Sequence, residues 1–242
     1  MRTALVFIVL ILAPIFCLPI HIYLWAVRRK DHEKGWRKAH KLVRWFFGTE
    51  LKAAGIKIDI VGREHIPEGP ALYVGNHRSY LDILSHHQAL NRPVGFVAKS
   101  EMEKWPLLPH YMRDIGCLFL NRTDIKQGME TIKQGAAYLS EGHSMVLFPE
   151  GTRNHEDTML PFKEGGYKMA EKAKVPIVPV AIVGSDNLLE ISGKKGVKKG
   201  HITLVYGEPI DPASMPPKER KAIYAEMPNM IQNLINTVKT ED

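Results

Sequence analysis

From Gly55 to Tyr206 the chain alternates short apolar runs with stretches of helical periodicity, and this alternation constrains its fold more than any other feature. The runs are IKIDIV (56–61), ALYV (71–74), VGFVA (94–98), CLFL (117–120), SMVLF (144–148), PIVPVAIV (176–183) and HITLVY (201–206). Each has strand length, and helical patterns fall between them near 80–90, 101–112, 124–141 and 164–174. The clearest helix places Ile125, Met129, Ile132, Ala136 and Leu139 on one face, with Gly142 just past its end. The tail from Pro217 reads as helix broken near Pro228. Strands that alternate with helices predict an α/β fold with a largely parallel central sheet flanked by helices, here over residues 55–242.

Residues 1–54 have a different texture. Ala4 to Val27 carries no formally charged side chain, and as a straight helix it would reach about 36 Å, enough to cross a bilayer core. Pro14 and Pro19 allow a kinked span or a re-entrant helix instead. Residues 28–44 then hold eight Lys or Arg against two acidic residues, which predicts that the downstream domain faces the cytoplasm. In the next stretch Trp36, Ala39, Val43, Phe46, Phe47 and Leu51 recur at helical spacing among Arg37, Lys38, Lys41 and Arg44. That pattern fits a basic amphipathic helix in the headgroup region, the alternative being a domain helix with a packed stripe and a solvated face. The expectation is a two-helix membrane-associating segment ahead of the α/β domain. The net charge of +7 suits anionic partners without choosing among nucleic acid, lipid and an acidic protein. With only Cys17 and Cys117, neither a disulfide framework nor a cysteine-based zinc site is expected.

Ligands in open α/β sheets bind at the carboxyl ends of strands, so the residues after each run matter most. After ALYV comes GNHRSYLD; after VGFVA, Lys99; after CLFL, Asn121 and Arg122; after SMVLF, the turn PEGTRN. Within one straight helix His77 and Asp82 would point roughly 140° apart. If the helix starts near Ser79, a reasonable N-cap, His77 lies in the preceding turn and Asp82 can receive its imidazole. A carboxylate on one ring nitrogen fixes the tautomer and leaves the other nitrogen as a general base. A helix cap with a solvated histidine is the plainer alternative. Several cations around such a base suit an anionic acceptor, and phosphate is the anion that Arg and Lys both bind well.

The motifs NHRSYLD (76–82), GCLFLNR (116–122), FPEGTRN (148–154) and VPIVPVAI (175–182) occur in this order, and with them the chain resembles the glycerolipid acyltransferases. They match the family's NHxxxxD, GxxFxxR and FPEGTR blocks; Arg78 stands where glutamine is common, and a cation there would alter acceptor contacts. The resemblance implies acyl transfer from a thioester, acyl-CoA or acyl carrier protein, to the sn-2 hydroxyl of 1-acylglycerol-3-phosphate. It makes His77 the base and Asp82 its orienter, and puts Arg122, Glu150, Gly151, Thr152 and Arg153 in acceptor binding with Lys99 as a further phosphate contact. It implies no metal and no cofactor, and partners that are lysophospholipid, acyl thioester and membrane lipid, not nucleic acid. The expected location is the cytoplasmic face of a bacterial inner membrane. Other acceptors, and hydrolysis by the same dyad, remain open. No G-x-S-x-G elbow and no GxxxxGK[ST] loop is present, which argues against a serine hydrolase and a P-loop NTPase.

Overall fold

The computed structural model describes residues 18–156, 158–189 and 196–239. Two helices lead. α1 (Leu18–Lys30) ends on Arg28, Arg29 and Lys30, and Asp31 then caps α2 (His32–Ala54) by accepting the Lys34 N–H at 2.9 Å. Gly55, in the left-handed region at φ 72°, stops α2 and feeds the sheet. There follow β1 (Ile56–Val61), β2 (Leu72–Gly75), α3 (Leu81–Ala89), β3 (Val94–Lys99), α4 (Leu108–Asp114), β4 (Leu118–Leu120), α5 (Ile125–Ser140) and β5 (Ser144–Leu147). The chain continues with α6 (Lys168–Ala173), β6 (Ile177–Val183), the short α7 (Ser185–Leu188), β7 (Gly200–Tyr206) and α8 (Pro217–Lys239). All of the expected strands form.

They make one seven-stranded sheet in the order β1-β7-β6-β2-β5-β3-β4. β6, β2, β5, β3 and β4 run parallel; β7 is antiparallel to β6 and carries β1 parallel to itself. The parallel set therefore delivers the ends of β2, β3, β4 and β5 to a single edge. Side chains alternate between two apolar layers, as strand geometry requires. Tyr73, Phe96, Val146, Val180, Ile182 and Tyr206 meet Ala39 and Leu51 of α2 and Leu81 of α3 on one face. Leu72, Val74, Met145, Ile177 and Val205 meet Leu139, Met169, Met227 and Ile231 on the other. Each fully buried side chain of this size contributes about 1.5–3 kcal/mol, so the strands that carry the site sit on a stiff base.

Four expectations change. The pattern at 101–112 splits into a 3-10 turn at Ser100–Lys104 and α4, because Pro106 and Pro109 break its hydrogen-bond ladder. In α5 the face turned to β4 in the first turns is Gln127, Gly128 and Thr131, leaving Ile125 and Met129 81% and 66% exposed while Ala136 and Leu139 are buried. α8 continues through Pro228, held by the buried Tyr224, Met227 and Ile231 around it. Finally, Trp36, Ala39 and Leu51 of α2 face inward rather than toward headgroups: the Trp36 ring lies 3.5 Å from that of His143 and against Gly116. The helical end of the expected 1–54 segment is thus packed on the 55–242 core. Of the apolar segment 4–27, residues 4–17 lie outside the described residues, and among the described residues no helix is long and apolar enough to cross a membrane.

Candidate active site

β2 leaves the sheet through an asparagine. The Asn76 side chain accepts the Ile182 N–H at 2.8 Å and donates to the Ile182 carbonyl at 2.9 Å, so an amide takes over from the backbone as partner of β6. The main chain is free to turn while still pinned to its neighbour. Asp82, in the first turn of α3 and fully buried, reaches back into that turn. Its Oδ2 accepts the backbone N–H groups of Arg78 at 2.8 Å and Ser79 at 2.9 Å and meets His77 Nδ1 at 2.8 Å. The Ser79 hydroxyl accepts the Leu81 N–H at 3.0 Å, so Ser79 and Asp82 share the capping work expected of Ser79 alone. Because a carboxylate only accepts, Nδ1 carries the proton and Nε2 is the basic nitrogen. The His77 ring is stacked on Phe148, with centroids 4.2 Å apart and planes 9° from parallel.

The turn after β5 closes on the same histidine. Buried Glu150 accepts the His77 N–H through Oε1 at 2.9 Å, and through Oε2 the Asn154 side-chain amide at 2.9 Å and the Leu160 N–H at 3.0 Å. The Asn154 N–H returns a bond to the His77 carbonyl at 2.8 Å. The resemblance assigns Glu150 to the acceptor; in the fold both its oxygens bind the two turns to each other. Gly151 has φ +77°, and a Cβ there would lie 2.8 Å from Arg122 Cζ. A glycine thus lets the Arg122 guanidinium lie against the turn from β4. Lys99 Nζ, at the end of β3, donates to the Thr152 hydroxyl at 3.4 Å. The Arg153 guanidinium sits 3.7 Å over the Tyr80 ring.

His77, Asp82, Lys99, Arg122, Glu150, Gly151, Thr152 and Arg153 are thereby linked along one sheet edge. The dyad and Glu150 lie behind; Lys99 and Arg122 are exposed and Arg153 half-buried in front. Arg78, expected to modify acceptor contacts, instead pairs with Asp186 at 2.6 Å and donates to the Glu156 carbonyl. Its charge is neutralised across the gap between α7 and the β2 turn. The structure adds Asn76, Phe148, Asn154 and Asp186 to the residues that shape the site. The first three lie inside the quoted motifs, but nothing in the sequence around Asp186 marks it. Among the described residues, no three His, Cys, Asp or Glu converge to hold a metal ion.

Residues 57–183 match the family model described as Acyltransferase. A 1-acyl-sn-glycerol-3-phosphate acyltransferase of Chlamydomonas reinhardtii is 32% identical over 73% of this chain, which spans 53% of that relative. A probable 1-acyl-sn-glycerol-3-phosphate acyltransferase of Mycoplasma genitalium is 35% identical over 74% of this chain and 69% of its own. The crystal structure of the 1-acyl-sn-glycerophosphate (LPA) acyltransferase of Thermotoga maritima superposes with a TM-score of 0.80, covering 98% of this chain and 95% of that one at 23% identity, a likeness of fold. The matched segment contains the dyad, the cation rim and the turn after β5, though not Asp186, and on it the chain belongs to the acyltransferase family.

Proposed function

We propose that this chain transfers a fatty acyl group from a thioester, acyl-CoA or acyl carrier protein, to the sn-2 hydroxyl of 1-acylglycerol-3-phosphate, giving phosphatidic acid. The observation that carries this reading is the 2.8 Å His77–Asp82 contact behind a rim of Lys99, Arg122 and Arg153. His77 Nε2 takes the proton of the acceptor hydroxyl as its oxygen attacks the thioester carbonyl. The tetrahedral intermediate then collapses, expelling a thiolate that takes the proton back from the imidazolium. Asp82 holds the ring and stabilises its charged form; assistance of this kind supplies typically ~10²–10⁴-fold. A thioester is activated enough for direct attack, so the proposed reaction uses no covalent acyl-enzyme, metal or cofactor. Arg122, Arg153 and Lys99 meet the acceptor phosphate, with Gly151 and Thr152 shaping the turn that presents them.

Leu18, Ile20, Ile22, Tyr23 and Trp25 of α1 are exposed apolar side chains next to Arg29 and Lys30. They support α1 as the part that touches the lipid surface, and the excess of Lys and Arg over residues 28–44 favours the domain on the cytoplasmic side. The test gives the purified full-length protein one labelled acyl donor and, in parallel, 1-acylglycerol-3-phosphate, lysophospholipids with larger headgroups, or water alone. Phosphatidic acid should dominate and chelators should not slow its formation. Equal release of free fatty acid without any acceptor would make the chain a hydrolase, and preference for a larger headgroup would change the acceptor.

A further inference from the structure

Asp82 is bonded on one side only. Oδ2 meets three donors, whereas the fully buried Oδ1 has no hydrogen-bond partner among the described residues. One helical turn on, on the same face of α3, stands His86, also fully buried, with both ring nitrogens unpartnered. The Tyr206 hydroxyl is likewise buried and unpartnered, on a ring whose centroid lies 6.4 Å from that of His86. Buried polar atoms in folded proteins are nearly always satisfied, directly or through a bound water. Here the donor and acceptor count closes. A neutral imidazole offers one N–H and one lone pair, Oδ1 needs a donor, and a tyrosine hydroxyl supplies one.

We propose that His86 is a positioning residue for the His77–Asp82 dyad: its N–H is held by Asp82 Oδ1 and its other nitrogen by the Tyr206 hydroxyl, directly or through one buried water. The inference rests on the reading of His77 as base. Phe148 fixes the geometry, since its ring is stacked on His77 and lies 6.0 Å from the ring of His86. Burial presses the His86 imidazole down to about 4, which keeps it neutral at working pH. The titratable groups facing it are Asp82 and His87 of its own helix, His77, and Tyr206 of β7; Phe96 and Phe148 add ring contacts.

Without His86, Asp82 loses a donor, becomes more basic and holds the His77 imidazolium more firmly. H86F should therefore lower kcat roughly tenfold with little change in KM, and move the acid limb of kcat/KM to higher pH. H86Q, whose amide keeps one donor and one acceptor, should recover most of the rate and the wild-type profile. Y206F should lose about two- to threefold in the same direction, and it carries the kinetic test should H86F fail to fold. Imidazole nitrogen NMR of the full-length protein reads the network without reference to turnover: His86 should show a single neutral tautomer down to pH 5. Were His86 to titrate near pH 6.5, or were H86F to match wild type in rate and pH profile, His86 would be only a packed ring. An active His77→Ala would instead overturn the base, which the NMR result does not touch.

Discussion

The back and the front of the site are built in opposite ways. At the back, Asp82 and Glu150 are buried, and between them their carboxylates accept the Arg78, Ser79, His77 and Leu160 N–H groups as well as the Asn154 amide. At the front, Lys99 and Arg122 are exposed, and the contacts that place them are a 3.4 Å bond to Thr152 and a glycine. A reacting hydroxyl tolerates little misplacement, so a rigid back suits a base; a phosphate can be met by mobile cations from several directions. The difference implies that the back should fail abruptly under substitution and the front by degrees.

The largest effect tests the back. His77→Ala should reduce turnover by at least two decades with the thermal unfolding midpoint little changed, since alanine keeps the backbone bonds of this position to Glu150 and Asn154. Asp82→Asn should also be severe, because an amide can donate to the ring and favour the wrong tautomer. More than a tenth of wild-type turnover in His77→Ala would end the proposed mechanism.

Arg122→Ala and Arg153→Ala test the front. A charge-assisted contact to phosphate is worth on the order of 1.5–3 kcal/mol, so each change should lower kcat/KM for a phosphate-bearing acceptor roughly ten- to a hundred-fold. Lys replacements should recover part of this, lacking the bidentate fork. Slow hydrolysis of the thioester by water should be spared. Equal losses with 1-acylglycerol-3-phosphate, a substituted headgroup and water would move these arginines from acceptor to fold or donor.

The same division explains which parts of the molecule are legible in its sequence. The strands, the turn positions and the dyad follow from local pattern, because each strand's last residues and the turn after it are contiguous. His77 and Asp82 meet through a turn of a few residues, so their spacing permits the contact once the helix start is placed after His77, although it equally permits a plain helix cap. The contacts made by Glu150 and Arg78 depend on how separate segments converge. Glu150 meets the His77 N–H from the turn of a neighbouring strand, and Arg78 meets Asp186 more than a hundred residues away. Burial misled in the helices for a related reason. Periodicity marks Ile125 and Trp36 as apolar-face residues alike, but only tertiary placement decides that Ile125 faces away from the sheet while Trp36 packs on Gly116.

Gly151 joins front to back, and its substitution should have an intermediate effect. Alanine there must hold φ near +77° and would bring a Cβ within 2.8 Å of Arg122 Cζ. The backbone cost is about 1 kcal/mol, and the guanidinium must move off the turn. Gly151→Ala should lower kcat/KM for the phosphate acceptor about three- to tenfold and leave thioester hydrolysis unchanged. In the Arg122→Ala background the same change should cost little, because the clash has gone. Additive losses in that double-mutant cycle would show that Gly151 serves the back of the site.

The smallest effect at neutral pH is on stability, and it belongs to the buried side alone. Burial lowers His86 to about 4 and His40 to about 3, and holds His87 well below its ordinary value. The unfolded chain binds these protons from about pH 6.5 downward, whereas the folded chain does not, so their contribution is complete above pH 6.5 and lost as pH falls toward 4. Glu50, buried on α2, has the opposite sign: burial raises it to about 7, so its stabilising effect is present below the unfolded carboxyl range and lost as pH rises through about 7. Between those limits each fully shifted group changes stability by up to about 1.4 kcal/mol per pH unit, and three histidines outweigh one carboxyl. Urea unfolding should therefore show stability rising from pH 4.5 to 6.5. Glu50→Gln removes the opposing group, so the rise should steepen by about 1 kcal/mol per pH unit or less, while Arg122→Ala leaves it unchanged. A flat profile would mean that the imidazoles behind the dyad are hydrated, and that the rigid back is softer than its hydrogen bonds indicate.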